Sequence, residues 1–200
     1  NFLRDNGLAE YIPKYKICEN FNLDTLKNYN CDYDIVLKND GLCKGKGVFV
    51  QNVDFNNIYE VSYDMIPENT CVLIEEKLVG EEFSLMTLSD GTNYRHFPPI
   101  QDYKRLNNGD IGPNTGGMGA IIDSNNTLPF LNKDNIKYVE KINETIINHL
   151  NTKYKKNNNN IGYRGILYGS FIKTNDGSIK IIEYNCRFGD PECILALKLL

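Results

Sequence analysis

The strongest constraint on the fold lies in residues 180–192, with the sequence KIIEYNCRFGDPE. The pattern predicts a short strand, a polar loop and then a helix. Side chains on a strand alternate between faces, so Glu183 and Asn185 are predicted to share one face while Ile182 and Tyr184 point into a core. An acid and an amide are hard oxygen donors of the kind that Mg²⁺ uses together with waters and substrate phosphates. A half-buried strand with one solvated face shows the same alternation, so the pair gains its meaning from the rest of the chain.

Composition and charge narrow the class of protein. Two hundred residues, 41% of them hydrophobic, suffice for one ordinary domain or two small lobes. The net charge of -4 offers no basic stripe for nucleic acid, and no long apolar run predicts a membrane span or a signal peptide. The six cysteines form no CxxC pair, which argues against a zinc site or a disulfide frame. We therefore expect a cytoplasmic protein with neither a nucleic-acid nor a membrane partner.

A glycine-rich loop joins two predicted strands early in the chain. The buried strand 34–38 ends in Lys38, and the sequence NDGLCKGKG precedes a second strand at 48–50. The spacing of its glycines excludes a Walker A motif, and the strand that follows excludes a dinucleotide-binding fingerprint. Glycines let backbone N–H groups approach an anion, so the loop with Lys44 or Lys46 is suited to close over phosphates. A tight hairpin with solvated lysines is the simpler alternative.

Two further stretches suit a nucleotide and a phosphoryl group. The strand 71–76 ends in carboxylates and is followed by a second acidic pair at 81–82. Such a connector can bind an adenine edge while a nearby carboxylate takes ribose hydroxyls, although a charged surface turn would look the same. Lys104 and Arg105 precede residues 108–120, a stretch without periodicity that is predicted to be a functional or a disordered loop. The two basic side chains are placed to neutralise a phosphoryl group in transit.

The remaining patterns predict scaffold. Apolar positions at helical spacing predict an amphipathic helix at 133–150, and a low-complexity polar tract predicts a mobile surface loop at 151–160. Turn signals predict two antiparallel hairpins, at 83–88 with 94–97 and at 165–173 with 179–185.

Taken in order, five blocks closely resemble the ATP-grasp region of the phosphoribosylamine–glycine ligases. They are VLKNDGLCKGKGV, LIEEKLVGEEFS, QDYKR, GPNTGGMGA and IEYNCRFGDPE. The first two blocks and the metal strand are shared widely among ATP-grasp enzymes, whereas GPNTGGMG and RFGDPE are specific to the ligases. The resemblance implies an α+β ATP-grasp fold of two lobes with antiparallel sheets and flanking helices. It implies a connecting segment at 1–30, a small lobe at 31–97 and a large lobe at 98–200.

The resemblance also implies ATP as co-substrate between the two lobes, together with Mg²⁺ or Mn²⁺. The implied nucleotide-binding residues are Lys38, Gly41, Lys44, Gly45, Lys46, Gly47, Glu75, Lys77, Leu78 and Glu82. The implied metal ligands are Glu183 and Asn185, and the implied catalytic cations are Lys104, Arg105 and Arg187. The implied substrate-binding residues are Asp102, Asn114, Thr115, Gly116, Gly117, Met118, Gly119, Asp190, Pro191 and Glu192.

The implied reaction belongs to de novo purine biosynthesis. ATP phosphorylates the carboxylate of glycine, and the amine of 5-phosphoribosylamine then attacks to give glycinamide ribonucleotide, ADP and phosphate. Positioning and charge neutralisation carry such chemistry, and no protein nucleophile is needed. Two rival functions stay open, a different ATP-grasp carboxylate–amine ligase and a truncated, non-catalytic nucleotide-binding module.

Two of the chain's departures from the family pattern concern the metal ligands and the domain organisation. Ser170 stands where related ATP-grasp enzymes often place an acidic metal ligand. The family's separate N-terminal and C-terminal domains are also absent from these 200 residues. We therefore expect either a piece of a longer polypeptide, with other purine-pathway domains as partners, or a remnant.

Overall fold

The computed structural model describes residues 2–41, 47–109, 111–157 and 161–198. The helices are α1 (Phe2–Asp5), α2 (Leu23–Lys27), α3 (Lys133–Asn157) and α4 (Glu192–Lys198), with short 3₁₀ turns at Ala9–Tyr11 and Ile58–Glu60. The strands are β1 (Tyr15–Cys18), β2 (Ile35–Asn39), β3 (Val48–Val50), β4 (Val72–Glu76), β5 (Gly80–Asp90), β6 (Tyr94–His96), β7 (Gln101–Asn107), β8 (Ile111–Ile121), β9 (Arg164–Thr174) and β10 (Ile179–Asn185). Both predicted hairpins are confirmed by β5 with β6 and by β9 with β10.

The chain divides into two compact units. The small unit is Pro13–Leu78, and the large unit combines Asn1–Ile12 with Val79–Leu200. The division into a connecting segment at 1–30, a small lobe at 31–97 and a large lobe at 98–200 remains a prediction. The strand pairing nevertheless groups β5 and β6 with the sheet of the large unit, because β5 pairs along its full length with β9.

The small unit is built on an antiparallel sheet in the spatial order β1-β4-β2-β3. Alternation along β2 buries Ile35 and Leu37 on the face that packs against helix α2 and the loops around it. Helix α2 is capped by Asn22, whose side chain accepts a hydrogen bond from the Thr25 N–H at 2.7 Å. The outcome is a separate core around the fully buried Phe21.

The large unit is built on a second antiparallel sheet, in the order β10-β9-β5-β6. One face of this sheet packs against α3, where Leu85, Ile146 and Phe171 share a buried core. We call this the helix face. The opposite face buries Met86 and Tyr168 in a smaller cluster with Ala196 of α4, and we call it the open face. Strand β7 contacts β5, and α4 contacts β8, so the two-stranded sheet of β7 and β8 belongs to this unit as well.

Two expectations about loops are wrong. Residues 108–120 are not an aperiodic loop over most of their length, because β8 pairs with β7 from Asn107↔Ile111 to Gln101↔Ile121. The register shifts twice along this pair. The shifts allow a glycine-rich segment to form a ladder that its composition does not predict. Helix α3 also continues through Asn157 into the tract predicted as a mobile loop. Tertiary contacts extend it, since the Asn151 side chain accepts a hydrogen bond from the Tyr163 N–H at 2.8 Å.

A bulge at Ile182 sets the faces of β10. Ile181 pairs with Phe171 and Glu183 pairs with Ser170, so one extra residue lies between two consecutive pairs. Ile181 is 2% exposed and packs in the core, where the sequence pattern placed Ile182 instead. The alternation therefore changes phase at the bulge.

Within the described part of the chain, none of the helices is both long and apolar enough to cross a membrane.

Two leucines on β5 test the placement of the large core. Leu85 is 1% exposed and Leu88 is 48% exposed, on the same strand. We expect Leu85→Ala to lower the free energy of unfolding by about 2–5 kcal/mol, because a large buried side chain leaves a cavity. The matched change Leu88→Ala should cost less than about 1 kcal/mol. Urea unfolding of both variants measures the difference, and equal losses would contradict the packing described.

Candidate functional site

Glu183 and Asn185 lie side by side on the open face of β10. The Asn185 amide nitrogen donates a hydrogen bond to Glu183 Oε1 at 2.9 Å. Across the strand, Glu183 stands opposite Ser170 and Asn185 stands opposite Tyr168. The two polar side chains therefore share one face, while Tyr184 between them packs toward the helix face.

This pair has the donor chemistry of a small divalent site. Glu183 is exposed and supplies carboxylate oxygens, and rotation of the Asn185 amide about its last bond presents an oxygen beside them. Among the described residues, no group of three or more His, Cys, Asp or Glu side chains is arranged to hold a metal. A Mg²⁺ ion held here would thus take two protein oxygens and keep its other positions for water and phosphate oxygens, as this ion commonly does.

Lys104 stands among carboxylates in the large unit. Its ammonium lies 3.4 Å from Glu82 Oε2 in a partly exposed ion pair. Burial acts to lower the pKa of Lys104, but the carboxylates of Glu82, Asp102 and Glu183 outweigh it and raise the pKa above its ordinary value. Lys104 therefore stays a cation, in the electrostatic reach of the Glu183 carboxylate.

Asp102 lies two residues before Lys104 on β7 and has an unusual carboxyl group. The pKa of Asp102 is raised to about 6, first by burial and then by the carboxylates of Glu192, Glu82 and Asp190, while Lys104 acts to lower it. Its Oδ1 atom is buried and has no hydrogen-bond partner within the described residues. Glu192 at the start of α4 is only 1% exposed and accepts a hydrogen bond from the Tyr168 hydroxyl at 2.7 Å.

The glycine-rich part of β8 packs closely on the loop before α4. A Cβ atom on Gly117 would lie 2.7 Å from Pro191 Cδ and 3.6 Å from Asp102 Oδ1, at a positive φ that favours glycine. The Thr115 hydroxyl donates to the Lys104 carbonyl at 2.9 Å and accepts from the Gly117 N–H at 3.1 Å. The structure thus brings Gly117 and Pro191 close to Asp102, which lies on the same strand as Lys104.

The other predicted substrate-binding residues lie on β8 and in the segment before α4. Gly116, Met118 and Gly119 lie on the same strand as Thr115, and the Met118 side chain is 56% exposed. Asn114 pairs with Arg105 through the β8 backbone, and its side chain lies outside the described part of the structure. Asp190 joins Pro191 through a cis peptide bond.

The two predicted arginines make local contacts. Arg105 Nη1 donates to the Gly112 carbonyl at 3.0 Å, so this side chain lies along the β7–β8 sheet and does not turn toward Glu82 as Lys104 does. Arg187 Nη1 donates to the Phe188 carbonyl at 2.8 Å, and its guanidinium lies 6.0 Å from the centre of the Tyr168 ring. Arg187 therefore reaches the open face beside Asn185, whereas Arg105 does not join the group around Lys104.

In the small unit, Lys38 forms an ion pair with Glu75, and both side chains are mostly buried, at 22% and 13% exposure. The two residues lie on the adjacent strands β2 and β4. Lys77 donates from its ammonium to the Gln51 carbonyl at 2.7 Å, and Leu78, half-buried, ends the unit. The sheet therefore brings two of the predicted phosphate-binding and adenine-binding residues, Lys38 and Glu75, into direct contact.

The predicted phosphate loop is described only at its ends. Gly41 follows β2, and the Gly47 carbonyl accepts a hydrogen bond from the Asn39 N–H at 2.8 Å. Lys44, Gly45 and Lys46 lie outside the described residues.

Sequence patterns did not single out Tyr168. This residue donates to the buried Glu192, stands opposite Asn185 and faces Arg187. Counting back from the NDG turn would place Asn185 opposite Leu167, one residue away, because Ile179 pairs with Lys173. The bulge at Ile182 changes that count, so no local signal in the sequence identifies Tyr168.

The comparison with family models decides the family. Residues 2–193 match the model described as phosphoribosylglycinamide synthetase, ATP-grasp (A) domain. The chain belongs to this family. The phosphoribosylamine–glycine ligase of Methanosarcina barkeri is 38% identical over 205 residues, across 100% of this chain and 45% of that protein. The ligase of the same name from Methanococcus maripaludis strain C7 is 42% identical over 173 residues, across 84% of this chain and 37% of that protein.

Solved structures confirm the predicted ATP-grasp fold of this phosphoribosylglycinamide synthetase family member. A phosphoribosylamine–glycine ligase from Thermotoga maritima superposes with a TM-score of 0.75 at 30% identity and covers 99% of this chain and 48% of that one. The D-alanyl-alanine synthetase A of Vibrio cholerae gives a TM-score of 0.65 at 13% identity, covering 94% of this chain and 54% of that one, a likeness of fold alone. The chain spans less than half the length of the ligases that it matches. Membership of an ATP-grasp synthetase family implies the use of ATP.

The raised pKa of Asp102 predicts a pH-dependent stability. The folded state binds the Asp102 proton more tightly than the unfolded chain, whose ordinary value is 3.8, so this contribution is complete below that pH and is lost as the pH rises through about 6. We expect Asp102→Asn to raise the free energy of unfolding by about 1–2 kcal/mol at pH 7.5, after allowance for partial exposure. The gain should disappear near pH 4.

Urea unfolding between pH 4 and pH 8 measures this effect. Asp64→Asn, at an exposed aspartate, serves as the control and should show little dependence. A gain for Asp102→Asn that is constant with pH would contradict the cause assigned to it.

Proposed function

We propose that this chain is the ATP-binding and metal-binding part of a phosphoribosylamine–glycine ligase. The activity is the ATP-dependent joining of glycine to 5-phosphoribosylamine, with glycyl phosphate as the intermediate and glycinamide ribonucleotide, ADP and phosphate as products. The observation that carries the proposal is the family match over residues 2–193. The relatives named above support it, because each bears the name of that ligase.

The nucleotide roles are assigned separately to each unit. In the small unit, we assign Lys38 to phosphate oxygens, the loop from Gly41 to Gly47 to a phosphate lid, and Glu75, Lys77 and Leu78 to the adenine. The mostly buried Lys38–Glu75 ion pair supports this assignment, because it holds the lysine ready in one place. In the large unit, we assign Glu82 to the ribose hydroxyls and Lys104 to phosphate oxygens.

Glu183 and Asn185 are the proposed ligands of Mg²⁺ or Mn²⁺. The Asn185 amide nitrogen lies 2.9 Å from Glu183 Oε1, so the two side chains lie together on one face. A carboxylate and an amide oxygen are a donor set that fits a hard divalent ion. The ion, when bound, offsets negative charge on the phosphates. The chain's own part is to hold the two ligands in place and to keep Lys104 charged beside them.

The chemistry of the reaction suits the residues on the open face. A carboxylate becomes a good electrophile once one of its oxygens carries a phosphoryl group, and the transfer of that group depends on positioning and on charge neutralisation. Lys104 and Arg187 supply fixed positive charge, and Asp102 and the segment Asn114–Gly119 are assigned to the substrates. The close contact of Gly117 with Pro191 supports a substrate site built from both segments, to which we assign Asp190 and Glu192 as well.

The natural-length polypeptide that contains this chain provides the test of the substrate. ADP release is measured with MgATP and 5-phosphoribosylamine in the presence of glycine, alanine or bicarbonate. We expect release with glycine and little with the other two. Release with another acid would identify a different carboxylate–amine ligase, and nucleotide binding without turnover would identify a binding module.

Removal of the Glu183 carboxylate tests the proposed metal site. We expect Glu183→Ala to lower ligase turnover by at least about a hundredfold while the fold is retained, because an exposed ligand is lost and no core volume changes. Glu81→Ala, which removes an exposed carboxylate on β5 that binds Gln101, is the matched control and should keep normal turnover. A normal rate for Glu183→Ala at saturating MgATP would remove the metal role.

Removal of the Lys38 ammonium tests the proposed phosphate contact. We expect Lys38→Ala to weaken ATP affinity by about tenfold to a hundredfold, because a charged hydrogen bond to phosphate contributes about 1.5–3 kcal/mol. Isothermal calorimetry on the 200-residue chain measures the change, and circular dichroism checks that the small unit stays folded. Lys16→Ala on the edge strand β1 is the control. Equal affinities for the two variants would count against the role of Lys38.

A further inference from the structure

A buried polar cluster lies on the helix face, directly behind the proposed metal ligands. Its centre is Asn143 of α3, which is 0% exposed. The Asn143 amide nitrogen donates to the Leu85 carbonyl at 3.1 Å and to Thr87 Oγ1 at 2.9 Å. Its oxygen accepts from the Tyr184 hydroxyl at 2.6 Å. Both amide hydrogens and the amide oxygen are used, so the side chain has a single satisfied orientation.

The Tyr184 ring is also packed closely, against Phe171 and Gly169. The Tyr184 and Phe171 rings make a T-shaped contact, with an angle of 88° between their planes and the ring centres 6.0 Å apart. Gly169 stands directly opposite on β9, and a Cβ there would lie 2.6 Å from the Phe171 ring and 2.9 Å from the Tyr184 ring. The absence of a side chain at Gly169 therefore makes the space in which the two rings meet.

The position of Tyr184 on β10 links the buried cluster to the face on which Glu183 and Asn185 lie. Before the bulge, Ile179 and Ile181 point to the helix face, and continued alternation would send Glu183 and Asn185 to that same buried face. After the bulge, Tyr184 occupies the helix face and the two polar residues lie on the open face. The hydrogen bond from Tyr184 to Asn143 is thus made only in the phase that exposes both ligands.

We infer that Asn143 and Tyr184 are positioning residues, which fix the phase of β10 and so hold Glu183 and Asn185 in the arrangement that binds a divalent cation. The inference rests on the proposed function, because it takes these two residues as the ligands. Neither positioning residue touches the ion. Groups that orient metal ligands from behind commonly change metal affinity when they are removed.

A purely structural role for the cluster would have different consequences. Loss of a buried hydrogen bond destabilises a fold in any case, because the Asn143 oxygen is left without a donor. It would not change the affinity of the folded protein for a metal ion. Metal affinity measured well below the unfolding temperature therefore separates positioning from packing.

The test measures Mn²⁺ binding to the chain in the presence of ADP, from the electron paramagnetic resonance signal of free Mn²⁺. We expect Tyr184→Phe, which removes only the hydroxyl, to raise the dissociation constant of Mn²⁺ about tenfold. Ser89→Ala is the matched control, because it removes another buried hydroxyl of the same sheet, one that donates to the Tyr163 carbonyl at 2.8 Å. This control should bind Mn²⁺ as the unchanged chain does.

Glu183→Ala separates failure of the inference from failure of the proposed function. Mn²⁺ binding that survives Glu183→Ala would show that the ligand assignment is wrong. Loss of binding in Glu183→Ala together with unchanged binding in Tyr184→Phe would overturn the positioning role alone. Equal weakening in Tyr184→Phe and Ser89→Ala would overturn it too, because the effect would then follow stability.

Thr87→Val provides a second variant, one hydrogen bond further from the ligands. It removes the hydroxyl that accepts from the Asn143 amide and keeps the shape of the side chain. We expect a smaller rise in the Mn²⁺ dissociation constant, about threefold, since Tyr184 keeps its own bond to Asn143. Should Tyr184→Phe fail to fold, an unchanged dissociation constant in Thr87→Val would overturn the inference and a threefold rise would support it.

Discussion

The pairing of β9 with β10 around the bulge at Ile182 is the interaction on which the candidate site depends. A strand has only two faces, so one extra residue moves every later side chain to the opposite face. Here the change of phase sends Tyr184 into the core and leaves Glu183 and Asn185 on the open face. The large unit can therefore use one short strand both to close its hydrophobic core and to present two polar side chains on the opposite face.

The electrostatics of the open face follow from that arrangement. Glu82, Asp102 and Glu183 all act on Lys104, and together they hold its pKa above the ordinary value despite burial. The pKa of Asp102 is raised as well, by burial and by the carboxylate of Glu192. For a carboxyl group a raised pKa favours the neutral form, whereas for Lys104 it favours the charged form. A face with several carboxylates and one firmly charged lysine is suited to bind a metal–nucleotide complex, in which the cation and the phosphates offset both kinds of charge.

The sequence predicts most of the elements and the pairing within two hairpins, but not the β7–β8 sheet or the pairing between distant strands. The hairpins were found because DG and NDG turns join alternating runs, and α3 was found because its apolar residues recur at helical spacing. The β7–β8 sheet was missed because its glycines and Pro113 do not indicate a strand, and because the ladder has two register shifts. The last two turns of α3 were missed because the contact between Asn151 and Tyr163 joins residues twelve positions apart.

The sequence by itself determined which chemistry is available, since the motifs around Lys38, Lys104 and Glu183 suffice to identify an ATP-grasp family. It also determined that Glu183 and Asn185 share a face, because alternation is a local property of any strand. Only the tertiary structure decided that Ile181 rather than Ile182 packs in the core before the bulge, and that Tyr168 and Asn143 stand on either side of β10. Those facts depend on a bulge and on contacts between distant segments, and strand periodicity carries no information about either.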